Sequence, residues 1–400
     1  MTTKKPTATT QRKPARPDTA TAIVPTAKRS GTARTQTVAP AVPVSDSASP
    51  AAPASQPQPP QQQPSSITNV AAKANVSIAT VSRVLSGKRT KDDDIARRVR
   101  AAAEELNYSV NYAASALRSD VTNTIGLVIP SATDSLSARL IDALEPPADH
   151  KSTATQNRQL LLGVGGEQRT QAQRLESLVA RNVDGIIIVP ADGVDLTQPL
   201  ERFSPHTPIV QVGGRQRSFR TSMVGIDENA AMEMIVEHLA RQGVRSAAYF
   251  AGKEVSFESA EMFAMFHTQM RAHRLVTDTA WNRFGEVSVE RGYRCTRRMF
   301  VEERAAGIEP PQAVICADDM IALGVMVALQ TMGVRVPQDV RVVGFNDSPL
   351  ATTTMPQLTS VRPPFDQIAQ EALRLIGLGA GRPAHVTLLP QLVVRGSTVG

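Results

Sequence analysis

Hydrophobic positions in the first 66 residues follow no period. The stretch contains no Leu, Phe, Tyr or Trp, and eight prolines fall between Pro40 and Pro64, closing in a Gln/Pro run over residues 56–64. So little apolar surface cannot offset the entropy lost on ordering, and residues 1–66 are expected to form a disordered tail. The pattern changes at Ile67. Val70, Ala71, Val76, Val81, Val84 and Leu85 recur at helical spacing in two short blocks. Ser66 or Thr68 can cap a helix running through Ala74, Asn75 and Val76 make a turn, and Ser77 caps a second helix over residues 78–86 that Gly87 ends. The pattern predicts helix, tight turn, helix. A third helix is expected to open at Thr90, with Asp93 reaching back as in a capping box, and Ile95, Val99, Ala102 and Leu106 complete a three-helix core.

Beyond Asn123 the period switches again. Short β-branched runs at residues 125–129, 160–164, 185–189, 209–212, 247–251, 314–317 and 340–345 alternate with helical stretches. Such alternation predicts parallel sheets with crossover helices, and the length suits two lobes with a ligand crevice beyond the carboxyl ends of the strands. The expected fold is therefore a small all-α helix-turn-helix domain followed by a two-lobed α/β domain. Pro146-Pro147 breaks the first helix of that second domain early.

Charge sharpens this division. The 400 residues carry a formal charge of +7. Residues 1–66 contribute +6, residues 67–119 contribute +4, and the remainder sums to −3. A basic front end on a near-neutral body fits a nucleic-acid-binding head joined to a sensor. The tail's cations can tether DNA non-specifically or serve only as solvated charge. A membrane partner would call for an amphipathic anchor or an apolar stretch of about 18 residues, and the sequence offers neither. The start also lacks the apolar core of a secretory signal, so a cytoplasmic protein is expected. Cys295 and Cys316 stand far apart without metal-ligand spacing. The run Asp92 to Asp94 suits a helix N-terminus, because consecutive carboxylates point in different directions around a helix and do not converge on a metal. No cofactor or metal is expected.

Enzymes form one rival class. The sequence has no Gly-x-Ser-x-Gly elbow, no phosphate loop and no His pair with metal spacing. Gly163-Val164-Gly165-Gly166 lacks the full dinucleotide spacing and reads as a strand-end turn. A solute-binding protein without regulatory DNA binding is the second rival. It would share the sensor but carry no helix-turn-helix head.

The run from Asn75 to Gly87, Asn-Val-Ser-Ile-Ala-Thr-Val-Ser-Arg-Val-Leu-Ser-Gly, closely resembles the signature of the lac-repressor family, usually Gly-Val-Ser-x-x-Thr-Val-Ser-Arg-Val-Leu-Asn-Gly. At the family's distances follow Glu104 to Tyr108, Asn111, Ala113 to Ser119, Thr124 to Pro130, Val183 to Ile187, Ala317 to Gly324, Gly344 to Asp347 and Pro356 to Val361. The resemblance runs from about Ile67 to the C-terminus. It implies a dimeric transcription regulator, usually a repressor, in which a small-molecule effector bound between two periplasmic-binding-protein-like lobes controls binding to a double-stranded, palindromic DNA operator. The implied division is a tail at 1–66, a helix-turn-helix at 67–110, a hinge helix and linker at 111–122, and an effector-binding and dimerisation domain at 123–400. The effector class is a sugar, a sugar acid or another metabolite.

By position, the family's base-reading residues fall on Ile78, Ala79 and Arg83. The two apolar residues can touch thymine methyls and Arg83 can pair with guanine, so few base edges are read directly. Ser77, Thr80 and Ser82 suit phosphates. Asn111 to Ser119 matches the hinge helix, with Leu117 as the leucine that enters the minor groove, Ala114 allowing close approach of two hinges, and Asn111 and Arg118 flanking. A wedge of this kind favours a flexible pyrimidine-purine step.

In the sensor several family positions are altered. The arginine that clamps a sugar is Met262 here, and the usual Asn-Pro-Phe-Phe reads Asp134-Ser135-Leu136-Ser137. Asp318 replaces a common Asn and Asn346 a common Asp, while Arg215, past Val212-Gly213-Gly214, offers a cation. The effector contacts implied are Leu136, Arg215, Met262, Asp318 and Asn346.

Overall fold

The computed structural model describes residues 66–86, 89, 91–109, 121–145, 158–254 and 256–399. The tail through residue 65, Gly87, Thr90, the hinge positions and Pro146-Pro147 lie outside them. Helices α1 (Ile67–Ala74), α2 (Ile78–Leu85) and α3 (Asp94–Glu105) enclose Val70, Ala71, Val81, Val84, Ala96, Val99 and Ala102. The third helix starts later than expected. Its cap is Asp93 rather than Thr90: the Asp93 carboxylate accepts from the Ala96 amide at 3.1 Å and pairs with Arg89 at 2.5 Å. Both residue types cap well, and the carboxylate also complements the helix dipole.

The sensor follows as β1 (Thr124–Ile129), α4 (Ser135–Leu144), β2 (Gln159–Val164), α5 (Gln168–Ala180), β3 (Gly185–Ile188), α6 (Thr197–Phe203), β4 (Ile209–Val212) and β5 (Ser222–Ile226). Then come α7 (Glu228–Arg241), β6 (Ala247–Phe250), α8 (Phe257–Ala272), α9 (Val289–Arg297), β7 (Ala313–Cys316), α10 (Asp319–Thr331), β8 (Arg341–Phe345) and β9 (Thr359–Arg362). Helix α11 (Phe365–Gly377), β10 (His385–Leu388) and β11 (Gln391–Val393) close the chain. Two sheets result, ordered β10-β5-β4-β3-β1-β2 and β11-β9-β8-β7-β6. The first is wholly parallel; in the second, β11 runs antiparallel to β9. All seven β-branched runs became strands. The four strands that the pattern did not mark, β5, β9, β10 and β11, are short and are interrupted by Ser, Gly, His or Gln.

Both sheets are covered by helices on both faces, which is why a strand such as β3 is buried at every position. The chain crosses between lobes three times. After β5 it enters α7, whose Ala231, Ile235 and Leu239 join the second lobe's core with Tyr249 and Phe266. After β9 it enters α11, whose Ile368, Ala372 and Leu375 join the first lobe's core with Leu127 and Ile187. After β10 it returns to β11. Neither lobe is built from one continuous segment, so each needs the other's chain to complete its core.

The tightest packing lies between α9 and α10. A Cβ on Gly292 would collide with the Ile321 carbonyl, and one on Gly324 with the Val289 carbonyl and the Tyr293 amide. Backbone meets backbone here, so relief by side-chain rotation is closed. Gly324→Ala is expected to cost at least about 2 kcal/mol in urea unfolding, whereas Gly377→Ala, with open space at the Cβ, should gain about 0.5–1 kcal/mol from helix propensity. Equal effects at the two sites would contradict this packing.

Candidate nucleic-acid interface and effector crevice

The head presents one polar face. Asn75 ends α1 in the left-handed conformation at φ 53°, and its amide bonds back to Ala71 and Ala72. Asparagine tolerates this backbone best after glycine, so the turn forms without the glycine. Ser77 then caps α2, accepting from the Thr80 amide at 3.2 Å, while the Ser77 and Thr80 hydroxyls bond at 2.9 Å. Val81 and Val84 point into the core. Ser77, Ile78, Ala79, Ser82 and Arg83 are exposed and Thr80 is half-buried, so all six expected contacts lie on or beside the first two turns of one helix. Ile78 is 46% exposed, an apolar side chain that the fold does not use.

Most other cations among the described residues of the head are engaged. Arg100 pairs with Asp92 at 2.7 Å, Arg98 with Asp94 at 3.2 Å, and Lys73 with Glu105. Arg83 has no carboxylate partner among the described residues, and the first turn of α2 holds no acid. That helix end, with its free amides and positive dipole end, suits phosphate. Asn111, Ala114, Leu117 and Arg118 lie outside the described residues. Just past them, the Thr122 amide and hydroxyl donate to Asp184 Oδ1 at 2.7 and 2.9 Å, tying the linker to the first lobe immediately before β3.

In the sensor, the loops after the parallel strands meet across a crevice. On one side Asp318 caps α10, accepting from the Met320 amide at 2.7 Å, from the Asn346 side-chain amide at 2.9 Å, and from Ser135 of the first lobe at 3.4 Å. Asn346 sits at φ 87°, a backbone that few residues other than glycine adopt readily. Asp318 and Asn346 are thus brought together. Leu136, beside Ser135, packs on the first lobe's core and faces Gly213. On the other side the Arg215 guanidinium lies 4.2 Å over the Phe257 ring, and its amide approaches Glu258 at 3.4 Å. Met262, five residues further along the helix than Phe257, packs against the second lobe's core.

Several groups escaped the sequence reading. Glu258, at the start of α8, forms an ion pair with Arg217 of the first lobe, both half-buried. Asp192, after β3, accepts from the Lys253 amide at 3.3 Å. Pairs 41 and 61 residues apart leave no local signal; only Val212-Gly213-Gly214 and Arg215 marked the region. Glu228, the first residue of α7, lines a cavity of about 340 Å³ and was likewise missed.

The comparisons now bear on this geometry. The model for bacterial regulatory proteins of the lacI family matches residues 66–111, and that for a periplasmic binding protein-like domain matches residues 236–398. The HTH-type transcriptional regulator MalR of Streptomyces coelicolor is 31% identical over 348 residues, covering 83% of this chain and 96% of its own. The chain belongs to the lacI family. This lacI-family protein is also 27% identical to the HTH-type transcriptional repressor PurR of Vibrio parahaemolyticus, over 78% of this chain and 90% of that one. Among solved structures, the lac repressor dimer bound to operator and the anti-inducer ONPF matches with a TM-score of 0.67 at 24% identity, over 84% of this chain and all of that one. The CelR–cellobiose complex matches with a TM-score of 0.58 at 26% identity, over 83% and 99%. The expected architecture, a helix-turn-helix ahead of a two-lobed α/β sensor, is the family's, and the protein is a DNA-binding transcriptional regulator rather than a stand-alone solute binder. No helix among the described residues is long and apolar enough to cross a membrane.

Burial in the regulator's crevice perturbs its carboxyls. It pushes Asp318 up to about 7 and Asp319, which accepts from Ser360 and the Ser348 amide, up to about 6. The unfolded chain loses these protons in the ordinary carboxylate range, near 4, while the fold retains them to higher pH. Stability is therefore expected to decline as pH rises from about 4 to about 7. The thermal midpoint should fall between about pH 5 and pH 8, and Asp318→Asn, which can still cap α10, should flatten that slope. An unchanged slope in the variant would rule out Asp318 as its source.

Proposed function

We propose that this regulator is a repressor that binds a palindromic operator as a homodimer, with operator affinity set by a small metabolite held between the sensor lobes. The observation that carries the reading is the exposed face of α2, where Ile78, Ala79 and Arg83 are exposed and Arg83 has no carboxylate partner among the described residues. Arg83 reads a guanine through a bidentate contact, Ile78 and Ala79 meet thymine methyls, and Ser77, Thr80 and Ser82 hold phosphates. Residues 111–122 serve as hinge and linker, Leu117 wedging into the minor groove while Asn111, Ala114 and Arg118 support the paired hinges. The effector contacts are Leu136, Arg215, Asp318 and Asn346, with Met262 closing the apolar side. A ligand that binds closed and open lobes with different affinity shifts their balance, and the Thr122–Asp184 bonds give that shift a route to the linker. The reading places the protein in the cytoplasm, assigns it no cofactor and no catalytic step, and leaves residues 1–66 as a basic tail.

Fluorescence anisotropy on operator and on random duplex, at one fixed salt concentration, tests these assignments. Arg83→Ala is expected to weaken operator binding by about 1–3 kcal/mol and to relax preference at one base pair. Leu117→Ala should weaken operator binding by more than about 1 kcal/mol and leave random DNA nearly unaffected. Equal losses on both duplexes would remove the wedge.

A further inference from the structure

We propose that the cavity at the first crossover between the lobes takes a protonated amine on the effector, with Glu228 as its counter-ion. The inference rests on the effector reading above and names the chemistry of that ligand. The cavity opens where β5 passes into α7, between Gly213 and Gly225 of the first lobe and Met265 of α8. Its glycine walls leave the space unfilled, and about 340 Å³ is the size of a small ligand site.

Its charge is one-sided. Asp227 and Glu228 are the charged residues of the lining, and both are acidic. Asp227 caps α7, accepting from the Ala230 amide at 2.9 Å. Glu228 is half-buried and forms no hydrogen bond or ion pair among the described residues. Nearby cations do not answer it: Arg217 is held by Glu258, and Arg215 lies over Phe257. Met262, one turn before Met265, is apolar. Burial and the carboxylates of Glu261, Glu258 and Asp227 push Glu228 up to about 7, so an arriving cation relieves both repulsion and desolvation.

One further polar residue lies near these carboxylates. Tyr249 of β6 is 1% exposed, stacks on Phe266 at 5.3 Å, and lies within electrostatic reach of Glu228. Its hydroxyl has no hydrogen-bond partner among the described residues. A ligand with an ammonium meets Glu228 and Asp227 in the cavity wall; an anion meets only repulsion.

Calorimetry on the full chain at about pH 8, where Glu228 is ionised and an alkylamine remains protonated, tests this with three six-carbon polyols differing in charge at one end. These are 1-amino-1-deoxysorbitol, sorbitol and gluconate. The amine is expected to bind at least roughly tenfold more tightly than sorbitol, with gluconate weakest. Glu228→Gln, checked for folding by thermal unfolding, should erase the preference, and Asn229→Arg, on the cavity's exposed rim, should reverse it toward gluconate. Binding of sorbitol or gluconate as tight as the amine, retention of the preference in Glu228→Gln, or no binding of the amine overturns the proposal. If sorbitol binds as tightly as the amine and alters operator affinity, the amine is wrong and the effector reading stands. If the amine binds as expected but leaves operator affinity unchanged, the site stands and its role as effector falls.

Discussion

Parallel strand direction is the constraint from which the sensor follows. With every strand of the first sheet and all but β11 of the second running the same way, the polar loops at the strand ends collect along one edge of each lobe. These edges face each other, as Ser135 against Asp318, Arg217 against Glu258 and Asp192 against the Lys253 amide establish. Groups gathered in this way lose water without gaining an apolar environment that suits them, so each carboxylate is paired, accepts hydrogen bonds, or holds its proton. Asp318 and Glu228 hold theirs to about 7. The three crossings of the chain join the lobes mechanically, and α7 and α11 each complete a core on the far side of a crossing. A ligand that changes how the edges meet therefore acts on both cores' connections at once.

In the head a different limit governs. Helices of eight residues do not hold themselves, and α1 and α2 persist because caps satisfy their ends and nine small or β-branched side chains fill a common core. What remains outside that core is the exposed polar face that carries Ser77, Ser82 and Arg83. Asp92, before α3, and Asp94, at its start, pair with arginines of that helix, while Arg83 of α2 has no carboxylate partner among the described residues.

Much of this was legible in the chain. The helical period, Ser77 and the Asn75 turn gave the head, and β-branched runs gave seven strands in order. Thr90 and Asp93 both make good caps, so the start of α3 could not be decided without knowing that Arg89 and the Ala96 amide converge on Asp93. Strands such as β5, with Ser222 and Gly225, are defined by their neighbours in the sheet and have little propensity of their own. The crevice was legible at Asp318 and Asn346 because they follow strands directly. Glu258 and Glu228 were not, since their partners and neighbours come from the other lobe or from across a crossing.

The central claim, a sequence-specific dimeric reader of DNA, is tested most directly by selecting duplexes from a random pool with the full-length protein at fixed salt and sequencing those retained. The account predicts enrichment of a palindrome whose half-sites contain the guanine met by Arg83 and whose centre is a pyrimidine-purine step. Retention without enrichment, lost uniformly as salt rises, would contradict it, because contacts to phosphate alone carry no sequence.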